Sequence, residues 1–235
     1  VSHALPLLLL ASSLVAAGWF VRPKDRARGR DAMYRAWVMR ALAAFLLPVL
    51  VSLAVLNGWA TLAGLPAVFL PVREALPALV PHEVIAGALG GTLLGLAVAA
   101  WRARAGGRPI GNPGALMPRD RHELPWGLAV AIVAGTTEEP FFRLLLPLLI
   151  TLATGNAWAG FGLATLIFGA MHRYQGWRGM VATTLLGAVM AWVYLESGAL
   201  WLVVLLHMLV DLNGLVIWPA LRIQSTPSAA SPSGR

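Results

Sequence analysis

Apolar residues gather along this chain in runs long enough to cross a bilayer, separated by short polar and arginine-bearing stretches. A hydrocarbon core of about 30 Å needs about 20 mostly apolar residues in a helix. Seven runs meet or approach that length, at residues 4–21, 41–56, 84–101, 126–152, 157–171, 180–195 and 200–218. The first lacks the positive n-region of a signal peptide, and its basic residues follow it, so it reads as a retained span. Residues 58–72 are apolar but short and broken by Pro66 and Pro71, which predicts a loop or interfacial segment. The Ser/Pro/Ala-rich stretch 224–235 predicts disorder. The pattern therefore predicts an all-α fold, a polytopic transmembrane bundle of about seven spans. It divides into residues 1–125, whose spans carry no chemical motif, residues 126–218, whose spans do, and a disordered cytoplasmic tail over 219–235.

Composition supports that reading. Of 235 residues, 58% are hydrophobic and 12% charged, against roughly 25% charged in soluble domains. A disordered chain is excluded, and a soluble globular enzyme does not fit. The absence of cysteine excludes disulfides, thiolate metal sites and cysteine nucleophiles.

The net charge of +8, carried by 17 Arg and Lys24, matters by its placement. With residues 22–40 in the cytoplasm, the 101–125 and 173–178 loops and the C-terminal tail are cytoplasmic too. These regions hold 16 of the 18 basic residues, as the positive-inside rule requires. Arg73 alone lies outside, Arg143 lies within a span, and Arg40 reaches the interface from a span edge. The N-terminus is then external. Trp19, Trp101, Trp126, Trp158, Trp177, Trp201 and Trp218 mark span ends, as interfacial aromatics do. Basic residues interleaved with exposed aromatics on one surface, the mark of nucleic-acid binding, are missing, so no nucleic-acid partner is expected.

Charges inside spans each need a reason, since one at mid-bilayer costs at least about 2.5–3.5 kcal/mol. In Thr136-Thr137-Glu138-Glu139-Pro140-Phe141-Phe142-Arg143, Glu139 and Arg143 are four apart and can pair on one helix face. Glu138 is rotated by about 100° and has no such partner. Pro140 removes a backbone donor and loosens the helix, and freed carbonyls in a membrane need water or a polar neighbour. His172 closes the fifth run after Phe168. In the seventh, His207 and Asp211 are four apart, so the carboxylate is placed to fix the imidazole tautomer. Taken singly, these groups also fit a buried ion network, an interfacial histidine and a polar contact between helices.

Taken together, Glu-Glu-x-x-x-Arg (Glu138, Glu139, Arg143), Phe-x-x-x-His (Phe168, His172) and His-x-x-x-Asp (His207, Asp211), in that order on successive helices, resemble the CPBP intramembrane proteases. These are relatives of the type II CAAX prenyl proteases and of bacteriocin-processing enzymes. The resemblance covers about residues 126–218. It implies that Glu138 activates water with the help of His172, that His207 and Asp211 stabilise the oxyanion, and that Glu139 and Arg143 give structural support. Where the eukaryotic prenyl proteases carry Asn, this chain has Asp211, so His207 would be the donor and Asp211 its orienter. No cofactor and no metal are expected. The implied partner is a membrane-associated peptide or protein substrate, lipidated or not, within the lipid bilayer. Nearly all-Arg usage points to a GC-rich bacterial genome and an inner (plasma) membrane location. Prenylated tails, peptide pheromones, bacteriocin precursors and membrane-anchored protein tails all remain open as substrates.

Three other readings stand beside this one. A zinc metalloprotease would use His172, His207 and a carboxylate, although His-Glu-x-x-His is absent and Arg143 opposes a cation. A non-catalytic immunity or scaffold protein would keep the same fold. A transporter would show repeat symmetry in both halves, whereas the polar residues fall in one. Depth poses a further question: counted from the cytoplasmic span ends, Glu138 sits roughly 18 Å deep and His172 near the surface. A shared site requires the fourth span to tilt or bend, or the fifth to continue past His172.

Overall fold

A computed structural model describes residues 4–22, 29–77, 79–107 and 114–225. Each of the seven apolar runs becomes a helical rod. These are α1 (Ala4–Phe20), α2 (Arg30–Val55), α3 (Pro81–Arg104), α4 (124–154), α5 (Ala157–Met171), α6 (Gly176–Ser197) and α7 (200–225). No strand occurs among the described residues. Four rods, α2, α3, α6 and α7, are long and apolar enough by length and composition to cross a membrane, and α1 and α5 are shorter apolar helices. The fourth rod is the longest and carries Glu138, Glu139 and Arg143. Residues 58–72, expected as a loop or interfacial segment, form single 3-10 turns and the start of a one-turn helix, Leu70–Glu74.

The rods start and stop where local chemistry dictates. Pro81 and Pro125 sit in the first turns of α3 and α4, where a missing N–H costs nothing. The α4–α5 hairpin closes on Gly155 in the left-handed conformation, followed by Asn156, whose side chain accepts from the Ala159 N–H. Pro140 does not break α4. The helix widens into a π turn over Pro140–Leu145, and similar turns precede Pro48 in α2 and Pro219 in α7. Each lets the helix continue past a residue that has no N–H to give.

The last rod corrects the expected tail. Residues 219–225, read as part of a disordered segment, continue α7 through Trp218–Ser225 and pack beside α3. Leu221 and Ile223 extend the apolar pattern there, and residues 226–235 lie outside the described residues.

The fourth rod runs through the middle of the bundle. Every residue from 137 to 151 is buried, so its charges meet protein and not lipid. An aromatic chain, Phe45–Phe142–Phe168, joins α2, α4 and α5, with ring centroids 5.7 Å and 5.1 Å apart. Large apolar side chains such as Leu8, Leu94, Leu166 and Leu185 point outward from the rods, as a lipid-facing surface requires.

Hydrogen bonds between distant segments join ends that the charge pattern puts on one side. Arg40 donates to the Trp19 and Phe20 carbonyls, Arg173 to Val21 O at 3.2 Å, and Trp126 Nε1 to Asp31 at 3.1 Å. Five of the belt tryptophans are exposed, whereas Trp218 is buried and Trp126 stacks on Tyr34 at 5.8 Å.

Candidate active site

Glu138, Glu139, Arg143, His172, His207 and Asp211 all line one cavity of about 550 Å³. The question of depth resolves through the hairpin at Gly155–Asn156. Counted from that turn, Glu138 lies about 17 residues back along α4 and His172 about 17 forward, roughly 25 Å each way at 1.5 Å per residue. The fifth rod is short and ends at His172, which caps it. The polar loop after it is therefore recessed to the level of Glu138. Neither a broken α4 nor a prolonged α5 is needed.

Glu139 is the hub of the site. It is fully buried, as is Arg143. Arg143 Nε stands 2.9 Å from Glu139 Oε2, the pairing that the i,i+4 spacing predicts. The same carboxylate reaches across to α7, where Glu139 Oε1 lies 2.7 Å from His207 Nδ1. Spacing within one helix could not reveal that contact. His207 Nε2 stands 3.5 Å from Asp211 Oδ2, an ion-pair distance beyond a good hydrogen bond. The anchor expected in Asp211 is thus chiefly Glu139, because a cross-helix carboxylate reaches the ring more directly than one a turn away.

These contacts fix the proton pattern by donor–acceptor logic. An ionised carboxylate only accepts, so His207 Nδ1, which faces Glu139, carries a proton. With the Asp211 contact long, Nε2 is left available to a third group. His172 differs. Its Nδ1 is 2.9 Å from the Phe168 carbonyl oxygen, which also only accepts. Nδ1 therefore carries a proton, and Nε2 is the nitrogen left for another partner. The Phe168 ring lies under both histidines and under Arg143, whose guanidinium carbon is 4.5 Å from its centre.

Glu138 has no hydrogen bond or ion pair among the described residues, although it is 7% exposed and faces the cavity. A glycine lets α7 come close enough to form this arrangement. A Cβ on Gly135 would stand 2.5 Å from Met208 Cγ and 2.9 Å from the Val204 carbonyl oxygen. Bare backbone at Gly135 thus brings His207 within reach of Glu139.

The first half of the chain also contributes. Trp37 and Leu116 line the cavity, as do Tyr174 and Gln175 from the α5–α6 connection and Arg178 from the first turn of α6. No motif marks these residues in the sequence. Among the described residues, no group of three or more His, Asp or Glu is arranged to hold a metal ion. His172 and His207 have each committed Nδ1 elsewhere, and Arg143 adds a cation beside the carboxylates.

Residues 120–213 match the family model of Rce1-like type II CAAX prenyl endopeptidases. The match covers less than half of the chain, but it spans every residue from Glu138 to Asp211 and agrees with the CPBP resemblance. No curated protein and no solved structure matches the chain. The match supports an integral membrane peptide-bond hydrolase acting on a membrane-associated peptide or protein.

Proposed function

Taking the likeness of residues 120–213 as premise, we propose that the chain is a glutamic intramembrane endopeptidase, with Glu138 as the base. The carrying observation is the asymmetry of the two glutamates. Glu139 is spent on Arg143 and His207, whereas Glu138 faces the cavity with no partner among the described residues. Water is held between Glu138 and the free Nε2 of His172. Glu138 takes a proton from it, and the oxygen attacks the scissile carbonyl. The Nε2–H of His207 stabilises the developing oxyanion, a contribution of roughly 3–4 kcal/mol when preorganised. The C–N bond then breaks, and the proton on Glu138 passes to the leaving amine. Asp211 adds negative charge that keeps the His207 ring protonated, and Arg143 neutralises Glu139.

The substrate is a membrane-associated peptide or protein tail reaching the cavity from the cytoplasmic side, with or without a lipid anchor. The compartment is a bacterial inner membrane. The competing zinc mechanism is tested on purified protein by elemental analysis and by cleavage with a strong hydrophilic chelator. The glutamic mechanism predicts well under one equivalent of zinc and undiminished cleavage. Stoichiometric zinc, with activity lost on chelation and restored by adding the metal back, would replace it with metal-activated water.

A further inference from the structure

One wall of the cavity comes from outside the matched segment. Leu116 lines the cavity, as does Tyr174. It belongs to the turn Gly114–Leu116 in the connection between α3 and α4. That turn packs on the connection between α5 and α6, since a Cβ on Gly114 would stand 3.6 Å from the Tyr174 ring. Gly114 has φ 62°, a conformation side chains resist, so the close approach uses the residue best suited to it. Gly114 and Ala115 are exposed and Leu116 only half-buried, so burial alone does not fix the turn.

Two side chains of α2 fix it by its carbonyls. Arg30 donates from Nη1 to Ala115 O at 2.5 Å and from Nη2 to Met117 O at 2.8 Å. Tyr34 donates its hydroxyl to Leu116 O at 3.1 Å and accepts from Arg30 Nη2 at 2.9 Å. Three successive carbonyls are thus held from one helix turn. Arg30 is itself oriented by Glu123, whose two carboxylate oxygens meet Nε and Nη2 at 2.6 Å each. Glu123 is buried and also accepts from the Arg119 N–H at 2.8 Å. A planar five-donor fork suits this task, because an ammonium cannot meet a bidentate carboxylate and two carbonyls at once.

We propose that Arg30 is a positioning residue for access to the site: it holds Leu116 as the cytoplasmic wall of the cavity and so sets the girth of chain that reaches Glu138. The identity of the occupant as polypeptide rests on the function proposed above. The wall does not, and its test needs no substrate. The clamp also gives α2, which lies outside the matched residues, a task in selectivity.

The chain is free of cysteine, so Thr183→Cys places a single thiol in the cavity lining. Its labelling rate is measured with a small methanethiosulfonate and with a maleimide on a bulky polymer. Trp177→Cys, on the exposed surface outside the lining, serves as control. Arg30→Ala and Arg30→Lys should each raise the polymer rate at position 183 at least tenfold. The small-reagent rate there, and both rates at position 177, should stay unchanged. A merely structural role would lower the melting temperature without changing the ratio of polymer to small-reagent rates at position 183, and that result overturns the proposal. Should the Arg30 variants fail to fold, Leu116→Trp supplies the second test. It should slow the polymer at position 183 about tenfold at unchanged melting temperature, and an unchanged rate refutes the wall. If labelling behaves as stated while no peptide is ever cleaved, the hydrolase reading fails and the wall stands.

Discussion

Replacing Glu139 by Gln tests the internal wiring of the site. The carboxylate is fully buried and faces Arg143 at 2.9 Å and His207 at 2.7 Å. Glutamine keeps the shape but offers one acceptor oxygen and an amide NH2, so either Arg143 or the His207 Nδ1–H must face a donor. Arg143 has no exposure to water with which to compensate, and its Nη1 already lacks a hydrogen-bond partner. Breaking a buried pair by removing one partner costs about 3–5 kcal/mol. In a chain of this size each kcal/mol shifts the midpoint by about 2–4 °C, so Glu139→Gln should melt on the order of 10 °C below the parent. Glu138→Gln removes a carboxylate with no partner among the described residues and should melt with the parent or above it. Thermal unfolding in detergent, followed through the tryptophan signal, measures both. Equal midpoints for Glu139→Gln and the parent, or a larger loss for Glu138→Gln, would refute the division of labour between the two glutamates.

Other outcomes follow from the same geometry. Gly135→Ala pushes a Cβ against Met208 and the Val204 carbonyl. It should cost about 1–3 kcal/mol of stability, as overpacking does, and lower cleavage by drawing His207 away from Glu139. Glu123 is held down to about 2 from its usual 4.5, chiefly by its hydrogen bond with Arg30. A depressed carboxyl stabilises the fold above its unfolded value and loses that contribution as pH falls through its folded one. The difference in melting temperature between the parent and Glu123→Gln should therefore be full at about pH 5 and vanish toward about pH 2. A constant difference across that window would reject the pairing. Single cysteines at Arg73 and Arg119 should label from opposite faces of the membrane, and labelling from one face would reject the orientation read from the basic residues.

The helices are legible because apolar run length converts into helix length: all seven runs form rods, and four of these are long and apolar enough to cross a membrane. The Glu139–Arg143 pair was legible because an i,i+4 spacing names its own partner. Contacts between helices carry no such signature. His207 was therefore assigned to Asp211, one turn away on its own helix, while its shorter contact goes to Glu139, 68 residues earlier. The apparent mismatch in depth arose from assuming that all cytoplasmic ends lie at one level. The turn at Gly155–Asn156 was the better origin, since α4 and α5 leave it together. Arg30 was read among the basic residues that orient the chain. Its pairing with Glu123, 93 residues away, is a property of the folded chain that charge counting does not reach.

The central claim is that the unpartnered carboxylate of Glu138 activates the water. The direct measurement is cleavage by purified parent and Glu138→Gln protein, side by side. The substrate is a peptide found by comparing the termini of membrane proteins from cells with and without the active chain. Glu138→Gln should bind that peptide as the parent does, melt no lower, and cleave it at least about a thousandfold more slowly, in the upper range of general-base contributions. A folded Glu138→Gln protein that cleaves at the parent rate would contradict the account.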